Sequence, residues 1–275
     1  MLPTFVIGLR EGLEASLIVG IIAAFLKKQE RTDALRWMWL GVAGAVVLCI
    51  GVAIGLHILN QELPESKQRV LESGIALIAV GMVSFMIVWM KRNARHLAGD
   101  LRTTAAAALA QGSVFALVGM AFLAVLREGF ETAFFLVAAF RISNSSAASA
   151  IGASLGIALA VGIGFGIYRG GVHLNLARFF KITSAVLVLV AAGLVASAIG
   201  VGYESPWYTA FQAQAFDLTW LIHPNSISES LLTGMLGLSP NPAEGQVIGW
   251  AIYAVPMLAY VLWPGRKRPG AAATA

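Results

Sequence analysis

The sequence predicts an all-α integral membrane protein of seven transmembrane helices, and three observations lead there. Of its 275 residues 58% are hydrophobic and 12% charged, with a mean hydropathy of +0.79, whereas soluble domains run at about 45–50% apolar and about 25% charged. Seven apolar stretches are each long enough to cross a bilayer, which takes about 20 residues of helix. They are apolar on every face, unlike the alternating segments of about ten residues that build membrane β-barrels.

The stretches run over 4–26, 37–59, 70–90, 113–138, 147–167, 179–200 and 246–263. The first begins almost at Met1 and carries charges within its apolar run. With no basic segment before it and no small-residue cleavage pattern after it, it is expected to be a retained helix rather than a signal peptide. The second holds the single cysteine, Cys49, which leaves no disulfide framework or cysteine-based metal site and is expected to serve packing. Gly51-x-x-x-Gly55, Gly152-x-x-x-Gly156 and the run Gly162, Gly164, Gly166 predict close helix packing in helices two and five. The connection 201–245 contains Glu204, Asp217, Glu229 and Glu244 but no lysine or arginine. Its segment Trp207–Leu221 suits a short helix lying in the membrane interface, with a plain spacer as the other reading. After Pro264 come Arg266, Lys267 and Arg268 and then a run rich in alanine, a basic anchor with an expected disordered end. No domain beyond the bundle is expected, so 1–275 reads as a single transmembrane domain.

Basic residues orient the bundle, because cytoplasmic loops collect them. Of the 19 lysines and arginines, 14 lie on one side: Lys27, Lys28, Arg31 and Arg36, then Lys91, Arg92, Arg95 and Arg102, then Arg169, Arg178 and Lys181, and the three of the tail. The other side holds Lys67, Arg69 and Arg141, and two remain within the membrane, Arg10 and Arg127. The N-terminus is therefore expected outside and the C-terminus inside. Trp37, Trp39, Trp89 and Trp263 then fall at the cytoplasmic interface, where amphipathic rings prefer to sit. The positive balance belongs to these loops and not to a nucleic-acid surface.

Helix one reads Gly8-Leu-Arg10-Glu11-Gly12-Leu-Glu14, and helix four reads Val125-Leu-Arg127-Glu128-Gly129-Phe-Glu131, displaced by 117 residues. Three helices per unit is an odd number, so the second unit enters the membrane from the opposite side. The pattern predicts an inverted repeat, with unit one over about 1–92, unit two over about 105–200, and 246–263 as a seventh, additional helix. Both motifs lie a few residues to the outer side of their helix centres, about 5 Å above the midplane at 1.5 Å per residue, so they can meet.

Positions three apart share a helix face, so Glu11 with Glu14 and Glu128 with Glu131 can turn four carboxylates to one place. Arg10 and Arg127 each stand four residues before the second glutamate of their motif, at ion-pairing spacing. Gly12 and Gly129 are expected where the two motif helices cross closely. Six charges at membrane depth cost about 15–20 kcal/mol on insertion scales. Two arginines cannot neutralise four glutamates, and a bound cation would balance the remainder. Oxygen donors without thiolate or imidazole favour hard cations such as Fe³⁺, Mn²⁺, Mg²⁺ or Ca²⁺. Both motifs lack the histidine of the Glu-x-x-His pattern in di-iron carboxylate proteins, which weakens an oxidase reading.

The paired Arg-Glu-Gly-Leu-Glu and Arg-Glu-Gly-Phe-Glu on helices one and four closely resemble the oxidase-dependent iron permease family, which includes fungal high-affinity permeases and bacterial Efe-type permeases. The resemblance extends over the whole chain. It implies iron uptake across the plasma membrane or a bacterial inner membrane, with Glu11, Glu14, Glu128 and Glu131 as ligands and Arg10 and Arg127 as motif members. It also implies an external oxidase or delivery protein that supplies the metal; the hard, all-carboxylate donor set makes Fe³⁺ the expected species. Iron is then substrate, and no fixed cofactor is expected. The alternatives are direct Fe²⁺ transport, a permease for another hard divalent cation, or an intramembrane metalloenzyme or metal sensor that holds an ion without moving it. No nucleotide-binding motif is present to drive pumping.

Glu72 breaks the repeat, its displaced counterpart being Leu189. It is a candidate for the outer mouth, as is Asp217, against the plainer reading of interfacial carboxylates. His57, His96, His173 and His223 stand at no ligand spacing and are expected to be solvated or interfacial. The charge count makes a clean test of orientation, because Cys49 is the only thiol to remove first. Cysteines placed singly at Ser66, Ser145 or Ser226 should react with an impermeant thiol reagent added outside intact cells. Reaction at Thr32→Cys or Thr104→Cys under the same conditions would overturn the orientation.

Overall fold

A computed structural model describes residues 1–61, 65–93, 103, 114–141, 145–169, 175–203, 211–220, 233, 236–237 and 239–263. Seven long helices account for most of them: α1 (Leu2–Lys28), α2 (Thr32–Gln61), α3 (Glu65–Asn93), α4 (Val114–Arg141), α5 (Ser146–Tyr168), α6 (Leu176–Gly202) and α7 (Glu244–Leu262). Each matches one of the apolar runs read from the sequence, α4 and α7 missing a single terminal residue of theirs, and every helix extends past its run at one end or both. A run marks what prefers hydrocarbon, whereas backbone hydrogen bonding continues through the polar residues at the interface.

Five of the helices are long and apolar enough to cross a membrane, over Asp33–Gly55, Ser73–Asn93, Ser146–Tyr168, Ala177–Gly202 and Glu244–Leu262. The two left out, α1 and α4, are those whose apolar runs are broken by the Arg-Glu motifs. Their 27 and 28 residues still give a length of about 40 Å at 1.5 Å per residue. Large apolar side chains face outward all around the bundle, among them Val47, Phe85, Phe115, Leu123, Ile182 and Ile252. In water such a surface would be an association liability; in lipid it is the solvent-facing surface.

Local signals fix the helix ends. Pro3 lies in the first turn of α1, where its missing N–H costs nothing. The Ser145 hydroxyl caps α5 by accepting from the Ala148 N–H at 3.3 Å, and Asn175 Oδ1 caps α6 by accepting from the Arg178 N–H at 3.1 Å. The last carbonyls of α7 are met by lysines of two other helices. Lys181 Nζ donates to Leu262 O at 3.0 Å, and Lys91 Nζ donates to Trp263 O at 3.2 Å and also to Tyr260 O. Ammonium groups there satisfy orphan carbonyls and oppose the negative end of the helix dipole.

The helices associate chiefly as α1 with α5, α2 with α4, α3 with α6, and α6 with α7. Small residues set the first two contacts. A Cβ placed on Gly8 would lie 2.6 Å from Ala153 O, and one on Gly12 would lie 2.9 Å from Ala160 Cβ. Farther along, one on Gly164 would meet Ser16 Cβ at 2.5 Å. Residue numbers rise together along both helices, so α1 and α5 run parallel at backbone contact. In the second pair a Cβ on Gly41 would meet Val118 Cγ1 at 3.0 Å, and one on Gly129 would collide with the Cys49 sulfur. Cys49 also donates to Leu126 O at 3.7 Å, so the cysteine does serve packing. Gly152 and Gly156 lie against the backbone of Met1 and Phe5, as the small-residue pattern predicts. Gly51 and Gly55 do not pack: a Cβ on either would meet nothing within 4 Å. The Gly-x-x-x-Gly spacing there marks a lipid-facing or open stretch, because the partner α4 lies on the Gly41–Cys49 side of α2.

A buried apolar core joins α3, α4, α6 and α7, with Ile7 of α1, through residues such as Val83, Met86, Phe135, Leu187, Leu194 and Val261. The segment 211–220 is not the interfacial helix admitted by the sequence; residues 204–210 and 221 lie outside the described residues. Its backbone instead pairs with the approach to α7, through Ala215 N–H to Pro242 O at 2.9 Å, Leu218 N–H to Pro240 O at 2.8 Å and Glu244 N–H to Ala213 O at 2.8 Å. Proline carbonyls accept without needing a donor in return, so this extended pairing satisfies the backbone where a helix would have had to do so internally. Gly237, at φ +63°, touches Gly193 of α6, where a Cβ would stand 2.8 Å from Gly237 Cα.

Gly129→Ala should therefore lower the thermal midpoint and membrane yield, at a cost of about 1–3 kcal/mol for overpacking. Cys49→Ala in the same chain should recover most of that loss, since it removes the sulfur. Simple addition of the two single effects would show that Cys49 is not the obstacle.

Candidate metal centre

The 3.6-residue repeat places Arg10, Glu11 and Glu14 of α1 and Glu128 of α4 in the interior, all buried; Glu131 is largely so. One carboxylate oxygen each from Glu11, Glu128 and Glu131 lies within 4.8 Å of the others. Two helices distant in sequence thus bring three acidic groups together. Glu14, on the same α1 face, is held by Arg10, whose Nε lies 3.5 Å from Glu14 Oε1 and whose Nη1 lies 3.8 Å from Glu11 Oε1. In α4, Arg127 Nε donates to Glu131 Oε1 at 3.0 Å and lies 3.8 Å from Glu128 Oε1. Both intrahelical pairings expected at spacing four are present.

These ion pairs leave much of the polar surface unmatched. Among the described residues, the three guanidinium nitrogens of Arg10, both oxygens of Glu11 and one oxygen each of Glu14, Glu128 and Glu131 are buried without a hydrogen-bond partner. Leaving acceptors unmade in a dry interior costs about 1–3 kcal/mol each, more when charged. Acceptor-only oxygens from several carboxylates are the donor set of a hard cation.

The two arginines stand in different surroundings. The Arg10 side chain is fully buried, whereas that of Arg127 is 47% exposed and its guanidinium sits 5.5 Å from the centroid of the Trp89 ring. Such stacking steadies a guanidinium while leaving its N–H edge free for the carboxylate. Sequence reading placed Trp89 at the interface and had no signal for this contact.

Gly12 and Gly129 do not mark a close crossing of α1 with α4. Gly12 faces Ile157 and Ala160 of α5, and Gly129 faces Cys49 of α2. The helices α1 and α4 do pack together, but not at these glycines, each of which brings its motif helix against a different neighbour. Of the mouth candidates, Glu72 lies in α3 but its side chain is outside the described residues. Asp217 is exposed in the segment that pairs with the approach to α7. Its Oδ1 accepts from the Thr219 N–H at 2.7 Å and hydroxyl at 2.6 Å, which holds its carboxyl below the usual aspartate range. It does not join the carboxylate group. His96, His173, His223 and the side chain of His57 lie outside the described residues.

Apolar helices that expose hydrocarbon side chains all around, enclosing buried arginine and glutamate, define a multi-pass membrane protein built around a polar interior. Comparison with known proteins assigns its class: the chain is similar over its full length to permeases. Residues 1–264 match the iron permease FTR1 family, to which the chain belongs. It is 41% identical over 277 residues to a protein of Escherichia coli O6:K15:H31 (strain 536 / UPEC) named ferrous iron permease EfeU, covering 100% of this chain and 99% of the relative. A protein of the same name from Shigella sonnei (strain Ss046) is 40% identical over 268 residues, 97% of each chain. One from Yersinia pestis is 39% identical over 279 residues, 100% of this chain and 98% of the relative. No solved structure matches the chain. The family and the five apolar helices make this a multi-pass inner-membrane iron permease, with iron as its substrate.

Removing Arg10 should be the more damaging of two parallel changes. Arg10→Ala strips, among the described residues, the nearest counter-charge from the buried Glu11 and Glu14, which typically costs about 3–5 kcal/mol. Arg127→Ala, at a half-exposed side chain, should cost well under half of that. Thermal midpoints of the two purified variants in detergent give the comparison, and equal losses would contradict the burial difference.

Proposed function

We propose that this permease imports iron through a site made by Glu11, Glu14, Glu128 and Glu131, in a seven-span bundle with its N-terminus outside and its first six helices forming an inverted repeat. The observation that carries the reading is the buried group of carboxylate oxygens from Glu11, Glu128 and Glu131, within 4.8 Å of one another and contributed by the two motif helices. The reciprocal packing supports the repeat, because each motif helix lies against the second helix of the opposite half and the third helices of the halves lie together. Inverted halves place substrate sites near the midplane at their interface. The net formal charge of −2 on four glutamates and two arginines attracts a cation, and Arg10 and Arg127 hold Glu14 and Glu131 for it.

The relatives' name, ferrous iron permease, favours Fe²⁺ as the species imported. A second reading draws on the donor set: carboxylates alone prefer the harder Fe³⁺, which an external oxidising or delivering partner would have to supply at the outer face. There the acidic connection 201–245 and Glu72 offer a landing surface. In neither reading does the chain act as an enzyme; the carboxylates bind and pass the ion without chemical change to it.

Uptake of radioactive iron into liposomes holding only this protein, under anaerobic reducing conditions, tests both readings. Fe²⁺ should enter, and Glu→Gln at position 11, 14, 128 or 131 should abolish uptake while leaving protein yield intact, since an amide keeps the shape and loses the charge. Wild-type uptake by any glutamine variant removes that residue from the site. Absence of Fe²⁺ uptake until an oxidising partner is added would favour the ferric reading.

A further inference from the structure

Toward the C-terminal end of α1 from the carboxylate group, α1, the end of α5 and Thr103 bound a cavity of about 600 Å³. Ser16, Gly20, Ile21, Ala24, Gln29 and Tyr168 line it, together with Leu17 at its upper end. Glu14 and this cavity occupy one stripe of α1, because Leu17, Ile21 and Phe25 stand three, seven and eleven residues after Glu14 and share its helix face. A single helical turn, about 5 Å, separates the glutamate from the cavity roof along α1. The roof is narrow: Leu17 is buried there with Leu13, Met90, Ala160 and Phe180, and a Cβ on Gly164 would meet Ser16 Cβ at 2.5 Å. At the far end the Lys27 ammonium sits 5.7 Å from the Tyr168 ring centroid, in the stretch of α1 that leads to the basic connection between α1 and α2.

We propose that this cavity is the inner vestibule of the permease, receiving the hydrated ion from Glu14 and opening to the cytoplasm, with Leu17 and the Ser16–Gly164 contact as the constriction between site and vestibule. This deepens the carboxylate-site reading and rests on it. The volume suits the cargo. Six waters at about 30 Å³ each occupy roughly 180 Å³, so an ion leaves its protein ligands and takes up a full hydration shell inside the cavity. The chemistry suits release. Among the described lining residues none is a carboxylate, so their hydroxyl and amide groups ease rehydration without rebinding the ion, as passage requires binding weak enough to leave. The constriction is mostly apolar and lies where α1 and α5 meet through small residues, Ser16 against Gly164.

Thiol access decides the matter, in a Cys49→Ala chain reconstituted in liposomes. Gly20→Cys is accommodated, since a Cβ there meets only Gly164 O at 3.9 Å, and Ile21→Cys shortens a side chain at the cavity wall. A bulky, impermeant cationic thiol reagent on the cytoplasmic face should modify both and abolish iron uptake, while the same reagent outside should not react. Modification of Arg36→Cys, exposed near the start of α2 on the same side, should leave uptake unchanged. Thiols that stay unreactive from the cytoplasmic face, that react equally from outside, or that react with uptake preserved would each overturn the vestibule. Failure of the carboxylate reading shows separately, as full uptake by Glu128→Gln.

Discussion

The organising constraint of this protein is a charge imbalance held at membrane depth. Arg10 and Arg127 lie within 3.8 Å of the glutamates of their own helices, yet two guanidinium groups leave two carboxylates uncompensated. In lipid such groups cannot face outward, so both motif helices must turn them inward, and each helix then needs partners on its remaining faces. Gly8 and Gly12 let α5 approach α1 at backbone distance, and Gly41 and Gly129 do the same for α2 and α4. Helix α3, with α6 and α7, builds the apolar core alongside. The architecture follows from enclosing the acidic group more than from any preference of the helices for one another, since hydrocarbon-facing surfaces associate no better with protein than with lipid.

The two motifs have nearly the same sequence and different environments. Arg10 is sealed between helices, whereas Arg127 reaches partly exposed surroundings and rests on Trp89. A sealed pair resists change, because parting its charges in a dry interior is expensive. A partly solvated pair can lose and regain its contact at smaller cost, since exposed pairs contribute little net stability. The α4 half is thus the yielding side of the site and the α1 half the fixed one. Identical residues gain different roles from the depth and packing of the helix that carries them.

Much of this was legible in the sequence, because membrane solvation reduces folding to a few rules. Runs of hydrocarbon side chains of spanning length had to become helices, and seven did. The pairing of Arg10 with Glu14 and of Arg127 with Glu131 followed from spacing alone, being local to one helix. Partner choice was not legible. Gly12 and Gly129 read as a mutual crossing, but Gly12 meets α5 and Gly129 meets α2, and nothing in a glycine's identity names its neighbour. Gly51 and Gly55 share the spacing of Gly152 and Gly156 and meet nothing, so spacing shows where close approach is permitted and not where it occurs. Trp207–Leu221 allowed either a short interfacial helix or a plain spacer, and its described part, 211–220, pairs in extended form with the carbonyls of Pro240 and Pro242.

If iron passes through the carboxylate group, as proposed above, its arginines also limit how tightly an ion can be held. Each glutamate that gains a cation exchanges repulsion from its neighbours for coordination, so the empty site stores unfavourable energy that binding releases. A donor set left partly tied to arginine binds less tightly than four free carboxylates would, because Glu14 and Glu131 divide their charge between guanidinium and metal. That division suits a carrier, whose ion must enter readily and still leave. An all-carboxylate site without the arginines would bind more strongly and release more slowly, and one fully neutralised by four arginines would not bind at all. For the site proposed above, two arginines against four glutamates is an intermediate composition, attractive enough to capture a cation and weak enough to give it up again.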